Sequence, residues 1–209
     1  MNEYHKIQTV FLRDPATKYK TLLEGQYAEP EFEYLANNKW VFTEKVDGTN
    51  IRVMVDADGK LSFGGKTDNA VIPALLVTRL EARFFPKNDR LREMFPGGGC
   101  LYGEGYGARI QKGGGNYRPD ADFVLFDIKV SCWWLQRSAV EDIAAKLSID
   151  VVPIIGQGSL DFMVEMTRAG FNSRWGNFIA EGVVARPETE LKTRAGRRII
   201  TKIKHQDFI

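Results

Sequence analysis

Glu44-Lys45-Val46-Asp47-Gly48-Thr49-Asn50 stands between two runs patterned as β-strands. Trp40 to Lys45 reads as one strand and Asp47-Gly48 as a turn. Ile51 to Val55 then reads as a second strand, with Ile51, Val53 and Val55 on one face because side chains alternate along a strand. A further turn at Asp58-Gly59 and the run Leu61 to Phe63 complete a hairpin. A lysine that ends a strand ahead of a turn presents its amine at the rim of a sheet. An exposed lysine before an ordinary Asp-Gly turn carries the same letters, so the weight falls on the segments that accompany it.

Working outward, strand patterns recur at Cys100 to Glu104, Asp122 to Val130, Val151 to Ile155, Phe178 to Arg186 and Arg198 to Lys204. Helices fall between them. Asp68 or Asn69 can cap a helix running to about Phe85, with Ile72, Leu75, Leu76, Leu80 and Phe84 as its apolar face and Pro73 in the first turn. Ser138-Ala139-Val140-Glu141 has the form of a capping box opening a helix to Leu147. Ser159 caps another that stops at Gly170. Strands outnumber helices and do not alternate with them, which predicts an α+β fold with mainly antiparallel sheets.

Composition narrows the class. The chain has 209 residues, 44% hydrophobic and 27% charged, with a formal net charge of +2. Those proportions are those of a globular protein and exclude disorder, collagen and a coiled coil. No run approaches the ~20 apolar residues of a membrane helix. The opening Met1-Asn2-Glu3-Tyr4-His5-Lys6 carries no signal-peptide core. Cys100 and Cys132 have neither disulfide-framework nor zinc-ligand spacing, so a reducing, cytoplasmic setting is the expectation. Charge is unevenly placed: Lys192, Arg194, Arg197, Arg198, Lys202 and Lys204 follow one another with no acid among them, after an acidic Glu188 and Glu190.

Two glycine motifs fail on their context. Gly64-Gly65-Lys66-Thr67 looks like the end of a P-loop, but the earlier glycine that motif needs falls on Lys60. Gly103-Glu104-Gly105-Tyr106-Gly107-Ala108 fits a loose dinucleotide fingerprint, yet it runs into Gly113-Gly114-Gly115 rather than a helix.

The opening stretch resembles motif I of the covalent nucleotidyltransferases, the superfamily of ATP-dependent DNA ligases, RNA ligases and mRNA capping enzymes. Five more segments match that family in order: Ser62 to Thr67, Leu101-Tyr102-Gly103-Glu104, Phe123 to Ile128, Ala180-Glu181-Gly182-Val183-Val184, and Ile200 to Lys204. Asn50, the Gly103 to Gly107 run leading to Ile110-Gln111, and the pair Phe126-Asp127 resemble the type 2 RNA ligases and RNA-editing ligases. Lys66 departs from the arginine usual in that region and gives up a bidentate phosphate grip.

The resemblance implies roles. Lys45 is the nucleophile that takes AMP from ATP as a phosphoramidate. A free lysine amine has a pKa of ~10.4, so only about one in a thousand is neutral at pH 7.4, and neighbouring cations raise that fraction. Lys202 and Lys204, two apart on a strand, face one way and serve as those cations, or else form the polar face of an edge strand. Phe126 stacks on the base, Glu44 offers a backbone group that reads it, and Asp127 orients Lys45 or its basic neighbours. Glu104 accepts a ribose hydroxyl. Asn50 and Lys66 contact a phosphate, with Arg52 equally placed for that task. Glu181 holds Mg²⁺, or Mn²⁺ in its stead. Apart from the resemblance, the basic run itself makes Arg194, Arg197 and Arg198 the candidates to hold the RNA backbone.

The resulting expectation is an ATP-dependent RNA ligase joining 5′-phosphate to 3′-hydroxyl RNA ends, built as one adenylyltransferase domain over residues 1–209. No C-terminal OB or helical accessory domain is expected, and a protein partner is a candidate to replace it. The alternatives are a DNA ligase, a capping guanylyltransferase, or a non-catalytic nucleic-acid-binding relic.

Overall fold

The structure, a computed structural model, describes residues 3–209. The chain enters one unit, builds a second, and returns to the first. A flanking unit holds residues 6–46 and 153–209, and a central unit holds residues 3–5 and 47–152.

The flanking unit begins with β1 (Gln8–Thr9), β2 (Phe11–Arg13), β3 (Leu22–Tyr27), α1 (Pro30–Tyr34) and β4 (Trp40–Lys45). The central unit contains β5 (Thr49–Val55), β6 (Leu61–Gly64), α2 (Ala74–Phe84), α3 (Asn88–Met94), β7 (Gly99–Tyr106), β8 (Asp122–Val130), β9 (Trp133–Trp134), α4 (Arg137–Leu147) and β10 (Asp150–Val151). The chain then completes the flanking unit with β11 (Ile154–Gly158), α5 (Leu160–Ala169), β12 (Gly182–Pro187) and β13 (Thr201–Lys204). Sheets are mainly antiparallel, and the class is α+β as the strand-rich pattern predicts. Among the described residues only the β1–β13 and β10–β8 pairings are parallel.

In the central unit the order is β10-β8-β7-β5-β6, with β9 added against β8. Ile51, Val53 and Val55 face a core shared with Leu76, Leu80 and Phe84 of α2 and Val140, Ala144 and Leu147 of α4. The four-residue spacing of each helical set puts it on one stripe. Helix α2 starts later than the sequence suggests, because extended Pro73 occupies the N-cap position and no Asp68 or Asn69 cap forms. Ile72 packs on the core from outside the helix, and Leu75 turns outward. In α4 the capping box does not form. Gln136 precedes the helix, Ser138 lies within its first turn, and Glu141 pairs instead with Arg137 at 2.7 Å, one turn back.

The flanking sheet runs β1-β13-β12-β4-β11, beside a β2–β3 ribbon. Trp40, Phe42, Val183, Ala185 and Ile203 form its inner face against Leu160 and Met163 of α5. Helix α5 obeys its sequence signals: the Ser159 hydroxyl accepts from the Phe162 N–H at 3.2 Å, and Gly170 ends the helix at φ +77°.

The run Val151 to Ile155 is not one strand. Val151 pairs with Leu125 in the central sheet, whereas Ile154 pairs with Thr43 in the flanking sheet. Pro153, which has no N–H to give a ladder, stands where the chain changes units. The strands expected from Phe178 and from Arg198 begin only at Gly182 and Thr201.

One buried charge organises the central unit. The Asp122 carboxylate, 2% exposed, meets Arg79 at 3.1 Å and also Arg83 and Arg118. Burial alone pushes its carboxyl up, but the hydrogen bonds from Arg79, Arg83 and the Phe123 N–H outweigh this and hold it below the ordinary range. A lowered native pKa gives stability that is present above the unfolded value of ~3.9 and lost as pH falls through the native value. Asp122→Ala leaves three guanidiniums without their shared anion and is expected to cost about 3 kcal/mol. Urea unfolding at pH 7 reads that cost, and the gap from the wild type should narrow below pH 4.

Candidate active site

In the flanking unit, β4 alternates. Trp40, Phe42 and Glu44 point inward, and Val41, Thr43 and Lys45 point to the other face. The ladder sets Lys45 opposite Gly182, and Gly182 opposite Lys204. Lys45, Lys202 and Lys204 therefore share a face, with Val184 between Thr43 and Lys202. Gly182 is required at the centre. A Cβ there would lie 2.2 Å from the Ile203 carbonyl oxygen and 2.7 Å from the Lys204 Cα. Strands β12 and β13 approach too closely for any side chain, and a gap is left between the two lysines.

Glu181 fills that gap. Its carboxylate receives the Lys45 ammonium on Oε2 at 2.6 Å and the Lys204 ammonium on Oε1 at 2.7 Å. Lys45 and Glu181 are largely shielded from solvent and Lys204 is more open, so the Lys45 attraction in particular is stronger than at an open surface. The Glu181 backbone carbonyl accepts the His205 N–H at 2.9 Å, which fixes the entry to β12 against the exit from β13. Among the described residues no three His, Cys, Asp or Glu side chains gather as a metal site. A single carboxylate of this kind suits a divalent ion only when phosphates and water supply the other ligands.

The Glu44 side chain lies on the opposite face, 1% exposed. Its carboxylate accepts the Ser173 hydroxyl at 2.5 Å and the Arg174 N–H at 2.8 Å. The Ser173 oxygen in turn accepts the Trp175 N–H at 3.1 Å. Glu44 therefore staples the irregular segment that leads to Glu181, while its backbone N–H goes to the Pro153 carbonyl at 3.1 Å.

The central unit holds the second group of residues. Asn50 pairs with Glu104 across β5 and β7, and Arg52 pairs with Tyr102, so these four share the face away from the core. A register shift occurs in β8 at Phe126. Leu125 and Ile128 both belong to the core, so the bulge turns Phe126 and Asp127 together to the other face rather than letting them alternate. There the Phe126 ring meets Tyr4 edge-on at 5.1 Å, and Asp127 accepts the Tyr4 hydroxyl at 2.5 Å. Tyr102 and Trp134 complete the aromatic cluster around Tyr4. Asp127 is wholly buried and Phe126 is partly exposed. The Asn50 Oδ1 atom is buried with no hydrogen-bond partner among the described residues. An orphan acceptor requires a donor, which a sugar hydroxyl supplies and a bare phosphate oxygen does not.

Lys66 and Arg52 separate clearly. Lys66 is exposed on the loop after β6. Arg52 is buried beneath that loop, donating to the Gly65 carbonyl and to Asp68, each at 2.8 Å. The turn after β4 is clasped within the central unit: Gln111 donates to the Gly48 carbonyl and the Asp47 N–H to the Tyr117 hydroxyl, both at 3.2 Å. Gly48 has no room for a Cβ, which would meet the Gly105 oxygen at 2.3 Å. Tyr4, Tyr117, Ser173 and Trp134 had no local sequence signal, because each acts through contacts distant along the chain.

The basic run divides. Arg198 is almost fully buried against Glu190, and Arg197 makes a two-point contact with Glu29 at 3.1 and 3.2 Å. Arg194 is exposed on the loop before β13.

Comparison with known proteins fits this arrangement. A family model described as RNA ligase matches residues 38–204. No curated protein matches. A Naegleria gruberi RNA ligase variant solved with ATP and manganese shares the fold at a TM-score of 0.70 and 18% identity, over 98% of this chain and 56% of that one. Another variant of it, with AMP and manganese, gives 0.66 and 17%, over 98% and 58%. The chain thus spans little more than half the length of these solved relatives.

Burial, the largest influence, pushes the Glu44 carboxyl above its usual value, partly offset by the Arg174 and Ser173 hydrogen bonds. A raised native pKa gives stability that is full below the unfolded value of ~4.3 and lost as pH rises through the native value. Lowering the pH from 7 to 4.5 should therefore stabilise the wild type relative to Glu44→Gln. Glu44→Ala strands two buried donors and is expected to cost about 2 kcal/mol at pH 7, measured by urea unfolding.

Proposed function

The chain belongs to the RNA ligase family, and from that membership we propose that it is an ATP-dependent ligase that seals 5′-phosphate and 3′-hydroxyl RNA ends through a lysyl-AMP at Lys45. The observation that carries the reading is the Lys45–Glu181–Lys204 constellation over Gly182. It gives a nucleophilic amine, a neighbouring cation for phosphate, and a carboxylate suited to a divalent ion.

The Lys45 nitrogen attacks the α-phosphorus of ATP. An N–P bond forms, the P–O bond to pyrophosphate breaks, and the nitrogen gives its proton to solvent. An oxygen of the RNA 5′-phosphate then attacks that phosphorus, the P–N bond breaks, and the amine leaves with a proton. The 3′-hydroxyl finally attacks the activated 5′-phosphate and AMP departs. Lys202 and Lys204 hold phosphate oxygens and offset the charge that grows on them. Mg²⁺ held by Glu181, or Mn²⁺ in its place, supplies further neutralisation when bound. In the resting pair Glu181 stabilises the Lys45 ammonium, so attack requires that carboxylate to let the amine go.

Asn50, Glu104, Phe126 and Lys66 contact the nucleotide in this reading. Phe126 supplies the stacking face, Glu104 and the unpaired Asn50 oxygen take sugar hydroxyls, and Glu44 offers only its backbone. Asp127 supports the Phe126 platform through Tyr4. Arg194 is the member of the basic run best able to touch RNA, and 2′-hydroxyl contacts select RNA over DNA. The work is placed in the cytoplasm, and a protein partner or further segment supplies what the longer relatives carry beyond this region.

Incubation with radiolabelled ATP and Mg²⁺ should leave a covalent label that survives denaturation and is lost in Lys45→Ala. Glu181→Ala should lower labelling by a factor of about 100 or more, as removing one charge-stabilising group typically does. A label from GTP alone would instead indicate a capping-type guanylyltransferase. No label from any nucleotide, and no sealing of pre-adenylylated RNA, would indicate a non-catalytic binding protein.

A further inference from the structure

The central unit carries a second basic constellation that the chemistry above leaves unused. Arg79 and Arg83 stand one turn apart on α2, and Lys87 follows one further step along in the short turn after it. Four-residue steps are about 6 Å along a helix, so the three cations form a stripe rather than a point. With Ala82 and Pro86 they line a surface cavity of about 290 Å³.

The partners of this stripe are unequal. Arg79 spends Nε and Nη2 on Asp122, and its Nη1 has no partner among the described residues. Arg83 meets Asp122 and, more distantly, Asp150 at 3.7 Å. Lys87 is half-buried, yet its ammonium has neither ion pair nor hydrogen bond among the described residues. Burial, then the charges of Arg83 and Arg79, disfavour that ammonium and lower its pKa, and Asp122 only partly compensates. A cation held next to two others, facing a cavity and lacking an anion, is a site short of one negative charge.

We propose that Arg79, Arg83 and Lys87 form a phosphate-binding site that holds the sugar–phosphate backbone of the RNA substrate, away from the ends being joined. Two features favour RNA. Guanidinium forks match phosphate oxygens, and stepped cations match a polyanion. The substrate's identity rests on the RNA ligase reading, but the site itself does not.

Lys87 is the residue to test, because its side chain bonds to nothing that folding needs. Lys87→Ala and Lys87→Glu would be compared with the wild type in two assays. One measures binding of 5′-phosphorylated RNA by fluorescence anisotropy across a salt series. The other measures the lysyl-AMP label from ATP without RNA. The expected result is that Lys87→Ala weakens RNA binding by a factor of roughly 5 to 10 at 0.1 M salt and lowers the salt slope by about one. Lys87→Glu should weaken it further, with labelling unchanged in both variants. Wild-type RNA affinity and slope in Lys87→Glu would overturn the proposal while leaving the ligase reading intact. Absence of label in the wild type would overturn that reading and leave the RNA-binding comparison valid. A third measurement separates free anions from RNA. If inorganic phosphate raises the melting temperature of the wild type but not of Lys87→Ala, and both bind RNA equally, the site serves a small anion and the RNA assignment fails.

Discussion

Two lysines on alternate strands of one sheet have backbones about 10 Å apart, and once both ammonium groups sit on one carboxylate they are within about 7 Å of each other, where at an effective dielectric of ~20 they repel by about 2 kcal/mol. The flanking unit resolves this by letting Glu181 reach between Lys45 and Lys204 across the bare backbone of Gly182. Much else follows from that contact. The strand between the lysines must carry no side chain at that point, so it carries glycine. The carboxylate must come from the residue just before the strand, so the preceding segment must be held still. Glu44, on the other face of β4, does this through Ser173 and Arg174. The residue just before Lys45 in sequence thus positions the partner of Lys45 in space.

Three other buried charges are met by opposite ones. Asp122 gathers three arginines, Arg52 holds Asp68 and the Gly65 carbonyl, and Arg198 is matched by Glu190. This pairing separates formal charge from available charge. The run from Lys192 to Lys204 looks in sequence like a continuous basic face, yet the acidic residues just ahead of it and in α1's approach neutralise Arg198 and Arg197. The stripe on α2 looks ordinary in sequence, yet it contains the half-buried lysine that lacks a counter-ion.

The sequence carried most of the architecture. Period-two patterning located β4, β5, β6 and β8, and the serine and glycine signals bounded α5. It was less informative wherever a long-range contact overrode a local preference. Pro153 marks a change of sheet, but neighbouring apolar residues made Val151 to Ile155 look continuous. Ser138 and Glu141 have capping-box spacing, but the helix begins two residues earlier than a Ser138 cap would start it, and Glu141 turns to Arg137. For the site, collinear motifs picked out Lys45, Glu181, Lys202 and Lys204 and their shared face. The residues that hold these and the central group in place were invisible: Tyr4 is 123 positions from Asp127 and Ser173 is 129 from Glu44. No window along the chain contains both members of such a pair.

The extra residue in β8 sets a counting rule. Because the register shift lets Phe126 and Asp127 leave the core together, the strand has one residue more than its partner's pleat requires. Most single-residue deletions in a surface loop change only its length. A deletion anywhere from the start of β8 to this bulge would restore strict alternation, and one of the two side chains would have to enter the core or Leu125 leave it. The segment therefore tolerates exchange of letters better than change of length, and β8 acts as a ruler whose spacing decides which side chains enter the core.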